Sequence, residues 1–310
     1  CNPRGLLLSH DKPLAKKILT FHRIHTPGFY VLPKGKKPRR PAGYKFPLLV
    51  KSVSEDASLG ITQSSIVHDD EKLFDRIEYI HQETQTDALI EAYIEGRELY
   101  VGVMGNRRLT TLPVWEMVFK NAPPGMPQIA TARVKWDIEY QKKLGIDTLA
   151  ATGIDSSTEQ RILKTCKRVY RALSLSGYAR MDLRLSDEGK VYVLEANPNP
   201  NLSFGEDFAE SADKVGMRYE SLLQKILTLG LNYLAKVVDA HHKIWGTIPY
   251  KQYHFLNVIG NGGGGLEHDN SCLVMTGRWT YRDKSRYKRW LSLASHEFFH
   301  TWNVRRLRPK

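Results

Sequence analysis

The stretch Gly177-Tyr-Ala-Arg-Met-Asp182 is followed, about a dozen residues later, by Val193-Leu-Glu-Ala-Asn197. Each segment has the apolar character of a strand, yet together they carry an arginine, two carboxylates and an amide. Charged groups are costly in a half-buried sheet unless they have partners. Carboxylate and amide oxygens are ligands that Mg²⁺ prefers, and a guanidinium group suits phosphate oxygens or a developing oxyanion. The two segments therefore predict a site for Mg²⁺ and ATP.

Length and composition limit the classes of protein to consider. A chain of 310 residues predicts two or three folding units. No apolar run reaches membrane-spanning length. The three cysteines are far apart and odd in number, which disfavours a disulfide framework or a cysteine-based zinc site and predicts a reducing, cytoplasmic setting. The first residue is Cys1 rather than methionine, which suggests a fragment or a processed product.

The net charge is +13, and a basic surface can serve nucleic acids or anionic substrates. The densest basic run, Lys34-Gly-Lys-Lys-Pro-Arg-Arg40, lies between two prolines and is typical of an exposed loop. It lacks interleaved aromatic residues and any nucleic-acid-binding motif. We therefore expect a solvated loop and no binding to nucleic acid or membrane.

Periodicity and turn residues predict intermixed helices and strands, and hence an α+β or mixed α/β core. The predicted helices are 10–23, 69–82, 157–175, 207–229 and a last one that carries Ser295–His300. Ser156 or Ser157 is the predicted cap of the helix at 157–175. The predicted strands are 29–32, 46–52, 61–67, 88–94, 98–104 and 253–259. Strands 88–94 and 98–104 are predicted to form a hairpin-like unit, and residues 119–155 to be irregular. Composition changes near residue 232, which predicts domains at 1–232 and 233–310.

Three further charged residues suggest nucleotide binding, although each has an ordinary alternative. Lys51 ends a buried strand, where a lysine is costly unless its ammonium group emerges at a site. The small-residue loop after it could fold over phosphates with its backbone N–H groups. Glu91 and Glu98 could meet an amino group and a ribose hydroxyl. Taken singly, each residue has an equally good alternative: Lys51 could be an ordinary lysine at a strand edge, and Glu91 and Glu98 could be solvated carboxylates.

In combination these features resemble the ATP-grasp superfamily, and within it the D-alanine–D-alanine ligases, over about residues 5–230. The resemblance implies an ATP-grasp fold in which two subdomains clasp ATP. The elements that carry it are Asp11-Lys12, Phe46-Pro-Leu-Leu-Val-Lys51, Glu55-x-x-Ser-Leu-Gly60, Leu89-Ile-Glu-x-Tyr-Ile-x-Gly-x-Glu98, Arg180-x-Asp182 and Leu194-Glu-Ala-Asn197.

The resemblance also implies roles for individual residues. Those that would hold ATP are Lys12 and Lys51 (phosphates), Ser58 and Gly60 (lid), Glu91 with the backbone of Tyr93 and Ile94 (adenine), and Glu98 (ribose). The implied ligands of Mg²⁺, or of Mn²⁺ in its place, are Asp182, Glu195 and Asn197. The implied catalytic residues are Arg180, which would stabilise the oxyanion, and Lys135, which would reach the transferred phosphate. The implied reaction is activation of a carboxylate by ATP to an acyl phosphate, which an amine then captures.

Three departures from the dipeptide-forming ligases leave the substrate open. Those enzymes have a serine at the position of Ala57 and a tyrosine at the position of Trp136. Their serine and tyrosine side chains orient the amino-acid substrate. Their substrate loop is of a Thr-Ser-Pro-Gly type, unlike Asn197-Pro-Asn-Pro-Asn201. Their N-terminal substrate domain has no counterpart in this sequence. The sequence therefore predicts ATP binding more firmly than it predicts D-alanine as the substrate.

A second pattern, His296-Glu-Phe-Phe-His300, is H-E-x-x-H. On a helix it puts both histidines on one face to bind Zn²⁺ and lets Glu297 activate a water molecule. The pentapeptide also occurs by chance, so alone it leaves zinc binding open. The glycine run Gly262–Gly265 lacks the Gly-Lys-Ser/Thr of a phosphate loop and is by default a flexible loop.

The flanks of this pattern resemble the glycyl aminopeptidase family of thermolysin-like zinc peptidases over about residues 235–310. They are Gly264-Gly-Leu-Glu-His268 and Thr301-Trp-Asn-Val-Arg-Arg-Leu-Arg-Pro309. The resemblance implies that Gly265–Glu267 is an edge strand lining the substrate, with Glu267 near the amino end of the peptide. The third zinc ligand of that family is a glutamate downstream of the second histidine, and this sequence ends ten residues after His300. We therefore expect a truncated segment without peptidase activity, and zinc binding that is weak or completed by another chain.

Three functional hypotheses follow. The favoured one is an ATP-dependent ligase that carries a partial peptidase segment. The second is a zinc metallo-aminopeptidase with an accessory ligase-like module, and the third is a nucleotide-binding module without activity. Since both resemblances are partial, the chain is expected to be either a fragment of a larger fusion or a join of two gene pieces.

Overall fold

The computed structural model describes residues 2–54, 60–246, 252–260, 263–267, 271–277, 280 and 284–300. The chain divides into two compact units, Cys1–Leu223 and Gln224–Lys310. The composition placed the boundary at residue 232 instead, and the functional division into a ligase-like and a peptidase-like domain stays a prediction.

Helices and strands alternate irregularly along the first unit. Its helices are α1 (Pro3–His10), α2 (Lys12–Phe21), α3 (Asp70–Glu83), α4 (Ala132–Trp136), α5 (Ile138–Leu144), α6 (Ser156–Ala172) and α7 (Asp207–Asp213). Its strands are β1 (Phe29–Leu32), β2 (Leu48–Ser52), β3 (Ile66–Val67), β4 (Ala88–Ala92), β5 (Arg97–Met104), β6 (Thr110–Thr111), β7 (Trp115–Phe119), β8 (Ile146–Ala150), β9 (Tyr178–Leu185) and β10 (Val191–Asn197). Helix α8 (Tyr219–Trp245) follows and contains the boundary between the units.

A small antiparallel sheet has the strand order β1-β4-β2-β3 among the described residues. Helix α3 packs on it because Leu73, Ile77 and Ile80 recur at helical spacing and are fully buried. The helix begins at Asp69, whose side chain accepts a hydrogen bond from the Lys72 N–H group. Such a cap contributes about 1 kcal/mol to helix stability.

A larger antiparallel sheet has the order β10-β9-β5-β7-β8 in the described part of the chain, and β6 pairs with β5. One face of this sheet packs against α6, whose Ile162, Cys166 and Val169 are fully buried at helical spacing. The predicted cap of this helix, Ser156 or Ser157, was wrong. Asp155 is the cap, because its carboxylate accepts from the N–H groups of residues 157 and 158.

The predicted hairpin-like unit was also wrong. Strand β4 belongs to the small sheet and β5 to the large one, so the connection between them crosses from one sheet to the other. At Gly96 the backbone has φ +122°, and a Cβ atom there would lie 2.1 Å from the Leu185 carbonyl oxygen. A glycine is therefore required at the crossing. The residues of this connection come to lie between the two sheets.

Three other predicted elements differ from the structure. Residues 119–155 were predicted to be irregular, but they contain α4, α5 and β8. The predicted strand 61–67 consists of a 3-10 turn at Gln63–Ser65 and the short β3. The predicted helix 207–229 is broken after Asp213, and Gly216 has φ +77° within the break. The spacing of apolar residues did not reveal these three differences, because tertiary packing overrides weak local preferences for helix or strand.

The second unit contains β11 (His254–Gly260), β12 (Gly264–Glu267), β13 (Ser271–Gly277) and α9 (Lys284–Phe299). Strand β13 lies between the other two, parallel to β11 and antiparallel to β12. Gly264 and Gly265 thus belong to an edge strand rather than to a loop. Within the described residues, no helix combines the length and the apolar character needed to cross a membrane.

Candidate active site

The polar residues of β9 lie on one face of the large sheet. Successive side chains of a strand point to opposite faces, so Arg180, Asp182 and Arg184 share a face. Met181 and Leu183, which alternate with them, are fully buried in the core below. The period of two thus separates a charged surface from an apolar one along a single strand.

A β-bulge brings the second carboxylate to the same face. Glu195 lies directly opposite Asp182, and the register between β10 and β9 shifts between Val193 and Glu195. In a regular strand these two residues would share a face, and Val193 is fully buried in the core. The extra residue, Leu194, moves Glu195 to the other face, beside Asp182.

A cleft in the first unit brings together most of the residues that the sequence singled out. Its lining includes the basic residues Lys12, Lys51 and Lys135, the acidic residues Glu91, Glu98, Asp182 and Glu195, and the sheet-crossing residues Tyr93 and Ile94. Ile61, Ile129 and Leu194 add an apolar surface that had not been predicted. The cleft therefore has an apolar wall together with charged groups of both signs.

Three residues that were predicted for the ATP and magnesium site are described but are not part of this lining. Gly60 lies next to Ile61, and its carbonyl oxygen accepts from the Arg76 guanidinium. The Asn197 Oδ1 atom accepts a hydrogen bond of 2.9 Å from the Asn199 N–H group. Arg180 lies opposite Asn197 across β9 and β10. Ser58 and Ala57 lie outside the described residues.

The Arg180 guanidinium is held by two carboxylates. Its Nε and Nη2 atoms donate to the two oxygens of Asp182, each at 2.8 Å, and its Nη1 atom donates to the Asp207 Oδ2 atom at 2.7 Å. It also stacks over the Tyr100 ring, 4.6 Å from the ring centroid. Burial favours the neutral form, yet Asp182 and Asp207 outweigh it and raise the pKa of Arg180 well above its ordinary value. Sequence reasoning missed Asp207, which lies 27 residues beyond Arg180.

Two carboxylates, that of the buried Asp182 and that of the half-buried Glu195, face each other at the predicted metal site. Burial, with a smaller contribution from Glu195, raises the pKa of Asp182 to about 6, although Arg180 opposes the rise. For Glu195 burial also raises the pKa, but Lys12, Lys51 and Lys135 outweigh it and hold the value below the ordinary one. Two facing carboxylates repel each other when both are ionised, and a divalent cation removes that repulsion. The donor set therefore fits Mg²⁺.

Glu91 is a buried carboxylate held by two lysines. Lys51 Nζ and Lys16 Nζ each lie 3.1 Å from its Oε1 atom. Burial raises its pKa, but the two ammonium groups outweigh this and hold the pKa below its ordinary value. Sequence reasoning missed Lys16, although it follows Lys12 by four residues and so lies on the same face of α2.

Arg184 is a second residue that the sequence did not single out. Its guanidinium lines the cleft and donates to the carbonyl oxygens of Gly96 and Gln128 at 2.8 and 2.7 Å. It also lies 3.7 Å from Glu98, which accepts a hydrogen bond of 3.0 Å from the Tyr100 hydroxyl. Arg184 thus fixes the crossing connection to the large sheet. Its position two residues after Asp182 was the signal that could have revealed it.

We expect the Arg184→Met substitution to destabilise the first unit by about 1.5–3 kcal/mol or more, since it removes hydrogen bonds from a charged group to two carbonyl oxygens. Arg184 is only 3% exposed, so water cannot replace those bonds. Urea unfolding measures the effect. Arg161→Met is the matched control, because Arg161 donates to the Gly189 carbonyl oxygen at 2.8 Å from an exposed position. Equal stability losses in both variants would contradict the structural role of Arg184.

In the second unit, the predicted zinc residues lie at the end of α9. The Nε2 atoms of His296 and His300 are 3.0 Å apart. Glu267, Glu297 and His300 each offer a ligand atom within 4.8 Å of the others. Glu297 is buried against Gly265, where a Cβ atom would lie 2.3 Å from its Oε1 atom. The H-E-x-x-H residues thus lie beside the edge strand β12.

Comparison with known proteins finds relatives for most of the first unit. The family model described as the D-ala D-ala ligase C-terminus matches residues 21–228, and the model of the M61 glycyl aminopeptidase matches only residues 289–310. An uncharacterized protein, y4sG, from Sinorhizobium fredii is 30% identical over 226 residues, which are 73% of this chain and 64% of that protein. A D-alanine–D-alanine ligase from Desulfotalea psychrophila is 29% identical over 230 residues, 73% of this chain and 68% of its own.

A solved structure extends the comparison to the fold. The D-alanine–D-alanine ligase from Bacillus anthracis, complexed with ATP, is similar with a TM-score of 0.57 and 26% identity, covering 73% of this chain and 67% of its own. This similarity confirms the predicted ATP-grasp fold and mixed α and β class. The chain spans about two thirds of the length of these relatives. The family match covers more than half of the chain, and the chain therefore belongs to the D-ala D-ala ligase C-terminus family.

Proposed function

We propose that this protein is an ATP- and Mg²⁺-dependent carboxylate–amine ligase of the D-alanine–D-alanine ligase type. The observation that carries the proposal is the cleft in which three lysines face the carboxylates of Asp182 and Glu195. Lysines neutralise phosphate charge, and paired carboxylates hold the cation that bridges phosphates. The relatives named above support the same activity.

Most of the cleft residues would bind the nucleotide or the cation. Lys12, Lys51 and Lys135 would bind phosphate oxygens, and Asp182 and Glu195, with Asn197, would hold Mg²⁺. Bound ATP supplies a phosphoryl group that turns a substrate carboxylate into an acyl phosphate. The apolar wall and the crossing connection, with Glu91, Tyr93 and Ile94, would hold adenine, and Glu98 the ribose. Ser58 and Gly60 would cover the phosphates.

Arg180 would stabilise the oxyanion that forms when the amine attacks the acyl phosphate. Asp182 and Asp207 fix the plane of its guanidinium, so little reorganisation is needed as charge develops. The substrates are small amino acids or peptides. Ala57 and Trp136 replace the residues that orient substrate in the dipeptide-forming ligases. Both the carboxylate substrate and the amine substrate therefore have to be identified by testing a panel of amino acids.

A thermal-shift titration with Mg-ATP tests the proposal. At a nucleotide concentration a hundred times Kd, binding stabilises a protein by about 2.7 kcal/mol, which raises Tm by several degrees in a unit of this size. We expect this shift in the wild type and its loss in the Asp182→Ala plus Glu195→Ala variant. ADP release over a panel of amino acids then identifies the substrates. A wild type that Mg-ATP leaves at its original Tm would rule the ligase out.

A second candidate function, zinc metallo-aminopeptidase, is supported by the two histidine nitrogens that lie 3.0 Å apart beside Glu267 and Glu297. His296 and His300 would bind Zn²⁺, and Glu297 would activate water. The same titration with Zn²⁺ in place of Mg-ATP tests the metal site. Cleavage of small aminoacyl substrates that Glu297→Ala abolishes would favour this function, and absence of both responses would exclude it.

A further inference from the structure

Lys16 is a buried lysine behind the wall of the cleft. Its side chain is 2% exposed, and the described residues that line the cleft do not include it. Its ammonium group lies 3.1 Å from the Glu91 Oε1 atom and donates a hydrogen bond of 2.8 Å to the Thr26 hydroxyl. A fully buried lysine is unfavourable without such partners. Lys16 therefore neutralises the charge of Glu91 and does not contact a ligand in the cleft.

Glu91 has two lysines at one oxygen, and only one of them faces the cleft. Lys51 lines the cleft and lies 3.1 Å from Glu91 Oε1, the same distance as Lys16. A phosphate that enters the cleft competes with Glu91 for the Lys51 ammonium group. If Lys51 were the sole partner, its departure would leave a buried carboxylate without a counter-charge, which is strongly unfavourable.

We propose that Lys16 is the permanent counter-charge of Glu91 and thereby frees Lys51 to bind the phosphate groups of a nucleotide. The proposal rests on the proposed function, because it requires that the cleft bind a nucleoside triphosphate. Lys16 is thus a positioning residue that acts on the nucleotide through Glu91 and Lys51. It sets the affinity for Mg-ATP without touching it.

The charges around Lys16 give the proposal a measurable consequence. Burial, together with the like charge of Lys51 on β2, lowers the pKa of Lys16 to about 8, while Glu91 on β4 and Glu195 on β10 act in the opposite direction. Thr26 contributes a neutral hydroxyl, and Phe29 on β1 its ring face. When the Lys51 ammonium group turns toward phosphate, it moves away from the Lys16 ammonium group. Lys16 is then the remaining counter-charge of Glu91. The pKa of Lys16 then rises, so Mg-ATP binding takes up protons above pH 8.

Isothermal titration calorimetry tests this coupling. Mg-ATP is titrated into the full chain at pH 8.5 in buffers of different ionisation enthalpy, which reports the number of protons taken up. We expect a fractional proton uptake in the wild type, and an affinity that falls by up to about tenfold per pH unit above pH 8. Lys16→Met should show no uptake, a Kd at pH 7 at least about tenfold weaker, and an affinity independent of pH between 7 and 9.

Lys17→Met is the matched control, because Lys17 is the next residue of α2 and is exposed. It should bind as the wild type does. If Lys16→Met fails to fold, the wild-type measurement still decides, since binding without proton uptake at pH 8.5 overturns the inference. Equal affinity of folded Lys16→Met and wild type overturns it as well. A wild type that does not bind Mg-ATP instead refutes the proposed function, so the two failures are distinguishable.

Discussion

Replacing Glu195 by glutamine is expected to lower ATP turnover by about a thousandfold or more. Glu195 lies opposite Asp182, is half-buried, and interacts electrostatically with three lysines of the cleft. Glutamine keeps a ligand oxygen but removes the negative charge that neutralises Mg²⁺, and a bound cation supplies several kcal/mol of charge stabilisation in phosphoryl transfer. Each 1.36 kcal/mol corresponds to about tenfold in rate.

The measurement is the rate of ADP release at saturating Mg-ATP with the substrate found in the panel. Glu188→Gln is the matched control, because Glu188 lies in the turn between β9 and β10 and is exposed. It should retain wild-type turnover. Turnover within a few-fold of the wild type in Glu195→Gln would show that this carboxylate is not a ligand of the catalytic cation.

Replacing Arg180 by methionine should produce the second large effect, a fall in kcat of about 10²–10³ with Mg-ATP binding retained. Removal of one oxyanion-stabilising donor has this magnitude in other enzymes. The substitution also leaves Asp182 and Asp207 buried without their cation, which costs about 3–5 kcal/mol of stability. Urea unfolding and single-turnover kinetics measure the two effects separately.

A double variant separates chemistry from folding. Adding Asp207→Asn to Arg180→Met removes one unpaired carboxylate, so stability should partly recover while kcat stays low. Arg180→Lys keeps the charge but loses the fork that contacts both carboxylates, and we expect an intermediate kcat. If kcat recovers together with stability in the double variant, Arg180 acts through folding and not on the reacting atoms.

Much of the site could be predicted because its residues lie in short segments with a strong local pattern. Arg180 and Asp182 share a strand face through the period of two, and H-E-x-x-H shares a helix face through the period of 3.6. Charged residues inside apolar runs are costly, so they indicate a ligand even before a fold is known. The lysine that ends a buried strand, Lys51, follows the same logic.

The partners of these residues were not predictable in the same way. Asp207 on helix α7 meets Arg180, and Lys16 on helix α2 meets Glu91, only because the fold places these helices beside strands that are distant in the sequence. The division of β4 and β5 between two sheets was missed for the same reason, since adjacent strands in the sequence favour a hairpin unless long-range pairing overrides it.

The amino-acid order thus determined which chemical groups the protein offers, because strand and helix periods and the cost of burying charge act over a few residues. The fold decided how those groups are paired. The bulge at Leu194 turns Glu195 toward Asp182, and the crossing at Gly96 places Glu91 and Glu98 on facing sheets. Sheet membership depends on contacts between residues far apart in the chain, and the hydrophobic pattern of a segment, which helps to set its register, does not specify which strand it pairs with.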